Sequence, residues 1–130
     1  IYHLSKWIKD QKVEIRDKVQ NKGGTMRLGA YPAKINKGTM AFSIYENELV
    51  SERHRHRFEV NIGFQEALEK SGLTFSGFSQ DGSLPEIVEL SNHPFFLGVQ
   101  FHPELKSKPF EPHPIFSTFV KKALEQTRLV

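Results

Sequence analysis

The sequence predicts an α/β domain with a substantial antiparallel component, and three observations carry that prediction. Short alternating apolar–polar stretches recur at residues 12–16, 26–35 and 53–60. Two segments, 62–71 and 114–128, space their apolar residues as amphipathic helices do. A continuous apolar run, 95–101, reads as a buried strand central in a sheet.

In chain order, Lys12-Val13-Glu14-Ile15-Arg16 alternates like a half-buried strand, and Asn21-Lys22-Gly23-Gly24 is turn chemistry. Met26, Leu28 and Ala30 alternate with Arg27 and Gly29, predicting a strand that runs to Ile35 before a turn at Asn36-Lys37-Gly38. Thr39 is placed to cap a short helix over 39–46 that presents Met40, Ala41 and Ile44 on one face. The 53–60 strand puts Arg53, Arg55, Arg57 and Glu59 on one face and His54, His56, Phe58 and Val60 on the other. Asn61 can cap the 62–71 helix, whose apolar face is Phe64, Ala67 and Leu68 and whose stop is Gly72. Residues 73–78 read as a strand, Asp81-Gly82 as a turn, and 87–90 and 95–101 as two more strands. Pro114 suits the first turn of the last helix, with Ile115, Phe116, Phe119, Val120 and Ala123 as a stripe packed on the sheet.

The 130 residues are 38% hydrophobic, enough for one core and one domain. Eleven phenylalanines against one tryptophan predict an aromatic-rich interior. A net charge of +3 is mildly basic and does not by itself point to nucleic acid. The absence of cysteine excludes a disulfide framework and Cys-ligated zinc. No signal-peptide pattern and no apolar run near the length of a membrane span are present, so neither secretion nor membrane insertion is expected. The chain opens on Ile1 rather than Met, in a strand-like pattern, which suggests the interior of a longer protein.

The chemistry-bearing candidates begin with Phe101-His102-Pro103-Glu104, at the end of the apolar run. Residues i and i+2 of an extended chain share a face, so His102 and Glu104 can enter one site, the carboxylate fixing the imidazole tautomer. A surface His-Pro turn with a solvated glutamate is the plainer alternative. The three alternating arginines can hold an anionic group through bidentate hydrogen bonds, or can keep an exposed edge strand soluble. His54 and His56 form a metal-ligand pair only if a third ligand exists, and none has suggestive spacing. Nucleic-acid binding lacks the aromatic platform it would need. The Gly23-Gly24-Thr25-Met26-Arg27-Leu28-Gly29 stretch is neither a Walker A loop nor G-x-G-x-x-G, and reads as a turn entering a strand. His93 and His113 also precede prolines and read as turn residues, His113 as a polar group opening the last helix.

Taken together, Gly-Gly-Thr-Met-Arg-Leu-Gly at 23–29, Glu-Arg-His-Arg-His-Arg-Phe-Glu-Val-Asn at 52–61, Gly-Val-Gln-Phe-His-Pro-Glu at 98–104 and His-Pro-Ile-Phe at 113–116 resemble a known family. The chain is similar to the C-terminal half of the class I (triad) glutamine amidotransferase domain of the CTP synthase family. The His-Pro-Glu motif points to the superfamily, and the Met-Arg-Leu-Gly and Arg-His-Arg-His-Arg segments to this branch of it. The resemblance implies an incomplete flavodoxin-like fold, a mixed sheet with flanking helices, spanning residues 1–130 as one partial domain. It implies that a cysteine thiolate attacks the glutamine side-chain amide, and that ammonia released there passes to a synthetase domain, where it converts UTP to CTP with ATP. In that scheme His102 matches the general base and acid, Glu104 its orienting carboxylate, and Arg57 the arginine that helps hold glutamine. It implies no cofactor in this chain, with ATP and Mg2+ in the synthetase domain, and a homo-oligomeric, cytoplasmic full enzyme. The implied partners are glutamine, the N-terminal half of the amidotransferase domain and the synthetase domain, with no nucleic acid and no membrane.

The departure from that family is the nucleophile: this chain has no cysteine and no Gly-x-Cys-x-Gly elbow. Alone it should be inert. A stand-alone pseudo-amidotransferase serving as a binding or regulatory subunit is the rival reading. Another class I amidotransferase, of the GMP synthase type, is a third, disfavoured by the Arg-His-Arg-His-Arg run. The upstream reading frame separates them, through the presence or absence of the cysteine elbow and a synthetase domain.

Overall fold

The computed structural model describes residues 6–9, 12–15 and 26–128. The expected turn at 21–24, and the Gly23-Gly24 pair within it, lie outside the described residues. The predicted strand at 12–16 is found as β2 (Lys12–Ile15), paired antiparallel with an unpredicted β1 (Lys6–Lys9).

The rest is a five-stranded sheet with helices against it. Its strands are β3 (Arg27–Ile35), β4 (Leu49–His56), β5 (Leu73–Ser79), β6 (Pro85–Leu90) and β7 (Leu97–Val99), in the spatial order β4-β3-β5-β6-β7. Every described pair is antiparallel. The α/β class is as the sequence predicts, and the antiparallel content runs through the whole described sheet.

Local chemistry explains the boundaries. The Thr39 hydroxyl accepts the Phe42 N–H and starts α1 (Met40–Tyr45). Glu89, buried on β6, adds its carboxylate to the same helix start, accepting from Met40 N–H at 2.7 Å and Ala41 N–H at 3.0 Å. Asn61 caps a 3₁₀ turn (Ile62–Phe64) that leads into α2 (Gln65–Lys70), and Gly72 follows at φ 101°. The tight turn at Asp81-Gly82 is present: Asp81 accepts from both Ser79 and Ser83 hydroxyls, and Gly82 sits at φ 77°. Gly77, at a bulge in β5, has no room for a side chain, because a Cβ there would lie 2.7 Å from Ile87 Cγ1. Pro114 opens α3 (Pro114–Thr127), and His113 caps it by accepting the Ile115 N–H at Nδ1.

The core is Ile35, Ala41, Ile87, Phe101 and Ile115, flanked by Phe42, Ile44, Tyr45, Val50, Phe95, Leu97 and Val99. Two sequence expectations fail here. The 95–101 run is not a central strand: β7 is three residues long, half-buried, and at the edge of the described sheet. An apolar run reports the burial a strand seeks and not its rank in a sheet. The α3 stripe enters the core only at Ile115, while Phe119 and Val120 stay 53% and 55% exposed. The Phe64–Leu68 face of α2 is likewise mostly open, with Phe64 and Ala67 exposed.

Candidate active site

Past Val99, Gln100 adds one more ladder bond, its N–H donating to the Glu86 carbonyl at 2.9 Å. Phe101 then turns into the core. His102 is held from the opposite side, its N–H donating to the Arg53 carbonyl on β4 at 2.9 Å. Buried Pro103 opens a 3₁₀ turn, Pro103–Leu105, which swings Glu104 back until Oε1 lies 2.7 Å from His102 Nδ1. The sequence pattern predicts this pair on an extended backbone. The pair forms, but on a helical turn, because proline at the first helical position is as well suited to starting a turn as to ending a strand.

With Glu104 accepting at Nδ1, the imidazole proton sits there and Nε2 is the basic nitrogen. The Glu104 carboxyl is held below its ordinary value, first by its own backbone N–H and then by the His102 ring. The side chains are 40% and 58% exposed, so the dyad faces outward, open to a reactant from outside this chain.

The arginine run behaves differently from its sequence pattern. β4 begins at Leu49 and ends at His56, where its partner strand stops at the Arg27–His56 pair. Within the strand the alternation holds: Arg53 and Arg55 are exposed, and Glu52 and His54 are buried. Beyond it the alternation fails, with Arg57 and Phe58 both exposed on a loop. Arg57 therefore lies past the end of the strand that carries Arg53 and Arg55. It lines a cavity of about 520 Å³ with Arg55, His56, Glu59, Val60 and Gln100. Gln100 lies two residues before His102, so one depression joins the arginine loop to the strand end that leads to the dyad.

His54 and His56 bond to each other. Their rings face each other, His54 Nδ1 to His56 Nε2 at 2.8 Å, and His56 Nδ1 bonds the Phe58 carbonyl at 2.9 Å. No group of three or more metal-ligating side chains occurs among the described residues. His93 is a turn residue as expected, its Nδ1 accepting the Phe95 N–H.

Two buried polar clusters have no counterpart in the sequence pattern. In one, Glu52 Oε1 accepts from the Tyr45 hydroxyl at 2.9 Å and His113 Nε2–H at 2.7 Å, joining α1, β4 and the start of α3. Burial and the neighbouring carboxylate push the Tyr45 hydroxyl far above its ordinary value. In the other, Arg27 Nη1 donates to Glu86 Oε1 at 2.7 Å and to Glu59 Oε1 at 3.2 Å. His54 Nε2 stands 3.7 Å from Glu86 Oε2, both fully buried. The partners are 32 and 59 residues apart in the chain, a separation that no local pattern records.

The profile of the glutamine amidotransferase class-I family matches residues 9–122. The chain belongs to that family. Among curated relatives of this amidotransferase, a CTP synthase of Cereibacter sphaeroides is 57% identical over the whole chain. A CTP synthase of Maricaulis maris is 57% identical over 98% of it. The chain spans only 24% and 23% of those two proteins. The glutaminase domain of Trypanosoma brucei CTPS with bound acivicin superposes with a TM-score of 0.75 at 40% identity, over 84% of this chain and 44% of that one. A putative GMP synthase component from Thermoplasma acidophilum shares the fold at TM-score 0.60 and 16% identity, over 83% of this chain and 49% of that one.

Proposed function

We propose that this amidotransferase chain is the His–Glu part of the glutaminase unit of a CTP synthase, a protein that makes CTP from UTP, ATP and glutamine. The 2.7 Å contact between His102 Nδ1 and Glu104 Oε1, two residues past Gln100 of the arginine-lined cavity, carries the reading. A cysteine supplied by chain outside these 130 residues provides the nucleophile, since none is present here. His102 Nε2 takes the thiol proton as the thiolate attacks the glutamine side-chain carbonyl. The same nitrogen returns that proton to the leaving ammonia. Water then attacks the thioester with His102 again as base, giving glutamate and the free thiol. Glu104 holds the ring in the productive tautomer and offsets the imidazolium charge. Arg57 pairs with the α-carboxylate of glutamine. ATP and Mg2+ act, on this reading, in the synthetase domain, and the whole protein is a cytoplasmic homo-oligomer. No helix among the described residues is long and apolar enough to cross a membrane.

The test is His102→Ala in the intact protein. Glutamine-dependent CTP formation should fall by at least about a hundredfold, the lower range for a lost general base. Ammonia-dependent formation should persist, because external ammonia bypasses the dyad. Equal loss of both activities would make His102 a structural residue and sink the assignment.

A further inference from the structure

The cavity wall that carries Arg57 is the loop 57–60, and two of its ties reach the sheet. His56 Nδ1 bonds the Phe58 carbonyl, and Arg27 Nη1 bonds the Glu59 carboxylate. Both ties lead inward to Glu86 on β6, Arg27 directly at 2.7 Å and His56 by way of His54. We propose that Arg27, Glu86, His54 and His56 form a buried positioning network that holds the Arg57 loop in its glutamine-binding geometry, with one shared proton closing the chain between Glu86 and His56. This rests on the glutaminase reading above.

The proton count follows from the contacts. The Phe58 carbonyl only accepts, so His56 Nδ1 carries hydrogen. If both imidazoles are neutral, His56 Nε2 is a lone pair and His54 Nδ1 must donate to it. His54 Nε2 is then also a lone pair, facing Glu86 Oε2 at 3.7 Å. These two atoms are buried without a hydrogen-bond partner, and an ionised carboxylate against a lone pair is repulsive. One added proton removes the conflict. It can rest on Glu86 Oε2, pointing at His54, or pass through His54 to His56, where the charge lies 3.7 Å from Glu59.

The electrostatics agree. Burial pushes the Glu86 carboxyl up to about 7, with Arg27 opposing and Glu59 adding to the rise. Burial first, then the charges of Arg27, His56 and His102, push His54 down to about 3, which disfavours leaving the proton on His54. The groups facing this cluster are thus Arg27 and Tyr31 from β3, His54 and His56 from β4, Glu59 from the loop, Glu86 from β6, and His102. An acid raised in the folded state contributes stability that is fully present below its ordinary value of 4.5 and lost as pH rises through about 7. The network should therefore loosen, and glutamine bind more weakly, on the alkaline side of neutrality.

Glu86→Gln and Glu86→Ala in the intact protein separate positioning from bulk structure. In Glu86→Gln the side-chain amide would accept from Arg27 and donate to His54 Nε2, imitating the protonated acid. Glu86→Ala should raise KM for glutamine by about tenfold with kcat changed less than about threefold, while ammonia-dependent activity continues. Glu86→Gln should keep KM within about twofold of the parent near pH 6.5 and flatten the rise in KM that the parent shows between about pH 6.5 and 8.5. An unchanged KM in Glu86→Ala, or a Glu86→Gln protein with the parent's pH profile, overturns the network. If Glu86→Ala does not fold, the Glu86→Gln profile decides alone. A parent protein that does not use glutamine, or keeps using it after His102→Ala, overturns the glutaminase reading and the network's role with it. A parent and His102→Ala that behave as proposed, beside silent Glu86 variants, overturn the network only.

Discussion

At the scale of single residues, Arg57 shows where strict alternation stops describing the chain. Strict alternation groups it with Arg53 and Arg55, yet the strand ends at His56 and Arg57 stands on the loop beyond. Arg55 still shares its cavity, while Arg53 is absent from the lining and offers its carbonyl to His102. A guanidinium that grips the α-carboxylate does so in ground state and transition state alike, so its loss should act on KM more than on kcat. Arg57→Ala in the intact protein should weaken glutamine use by about 1.5–3 kcal/mol, the range for a hydrogen bond to a charged group. Ammonia-dependent activity should be kept, and Arg53→Ala should leave KM for glutamine near the parent value. A larger defect from Arg55→Ala than from Arg57→Ala would reassign the grip to Arg55. The His102–Glu104 pair was legible in the sequence because its partners are two residues apart. Arg27 was not, because its partners lie on β6 and on the loop after β4, and only the folded sheet brings them to it.

At the scale of elements, boundaries marked by backbone chemistry were readable and ranks were not. Thr39, Asn61, Gly72 and Pro114 each mark a helix end at or near the predicted place, since caps and φ restrictions are local. The place of β7 in the sheet depends on partners far along the chain, and its sequence says only that it is apolar. What fastens the elements is also non-local: Glu52, buried on β4, takes hydrogen bonds from Tyr45 at the end of α1 and from the cap of α3, His113. His113 uses both ring nitrogens, accepting from Ile115 at Nδ1 and donating to Glu52 at Nε2, so it serves this cluster as the neutral tautomer. Tyr45→Phe keeps the ring packed and removes one donor from a buried carboxylate. The expected cost is about 1.5–3 kcal/mol, read from hydrogen exchange of the α1 and β4 amides in the intact protein. Tyr45→Phe combined with His113→Ala should depart from additivity, since both act on Glu52 Oε1. Additive losses would mean that the two donors stabilise the fold independently and that the cluster is not a unit.

At the scale of the whole molecule, the unmet expectation about α3 is the informative one. Its stripe was legible as apolar, and Ile115 reaches the core, but Phe116, Phe119, Val120 and Leu124 remain open along one helix. A contiguous apolar face of this kind marks a surface that something covers. On the reading proposed above, a candidate for that cover exists, for this chain spans 44% of the Trypanosoma brucei glutaminase domain. The rest of the amidotransferase domain is the expected cover, lying against α3 and beside the half-buried β7. Phe119 discriminates, because within this chain it is 53% exposed and touches Phe95 at a ring separation of 5.5 Å. If the remainder of the domain buries it, Phe119→Ala in the intact protein should destabilise α3 by about 3–5 kcal/mol, the cost of emptying a buried phenylalanine site. If the face is open to solvent there too, the change should stay within about 0.5 kcal/mol, as for an ordinary surface substitution. Hydrogen exchange of the α3 amides, compared between parent and variant, reads that difference directly. A loss at the lower value would mean that the rest of the domain docks elsewhere.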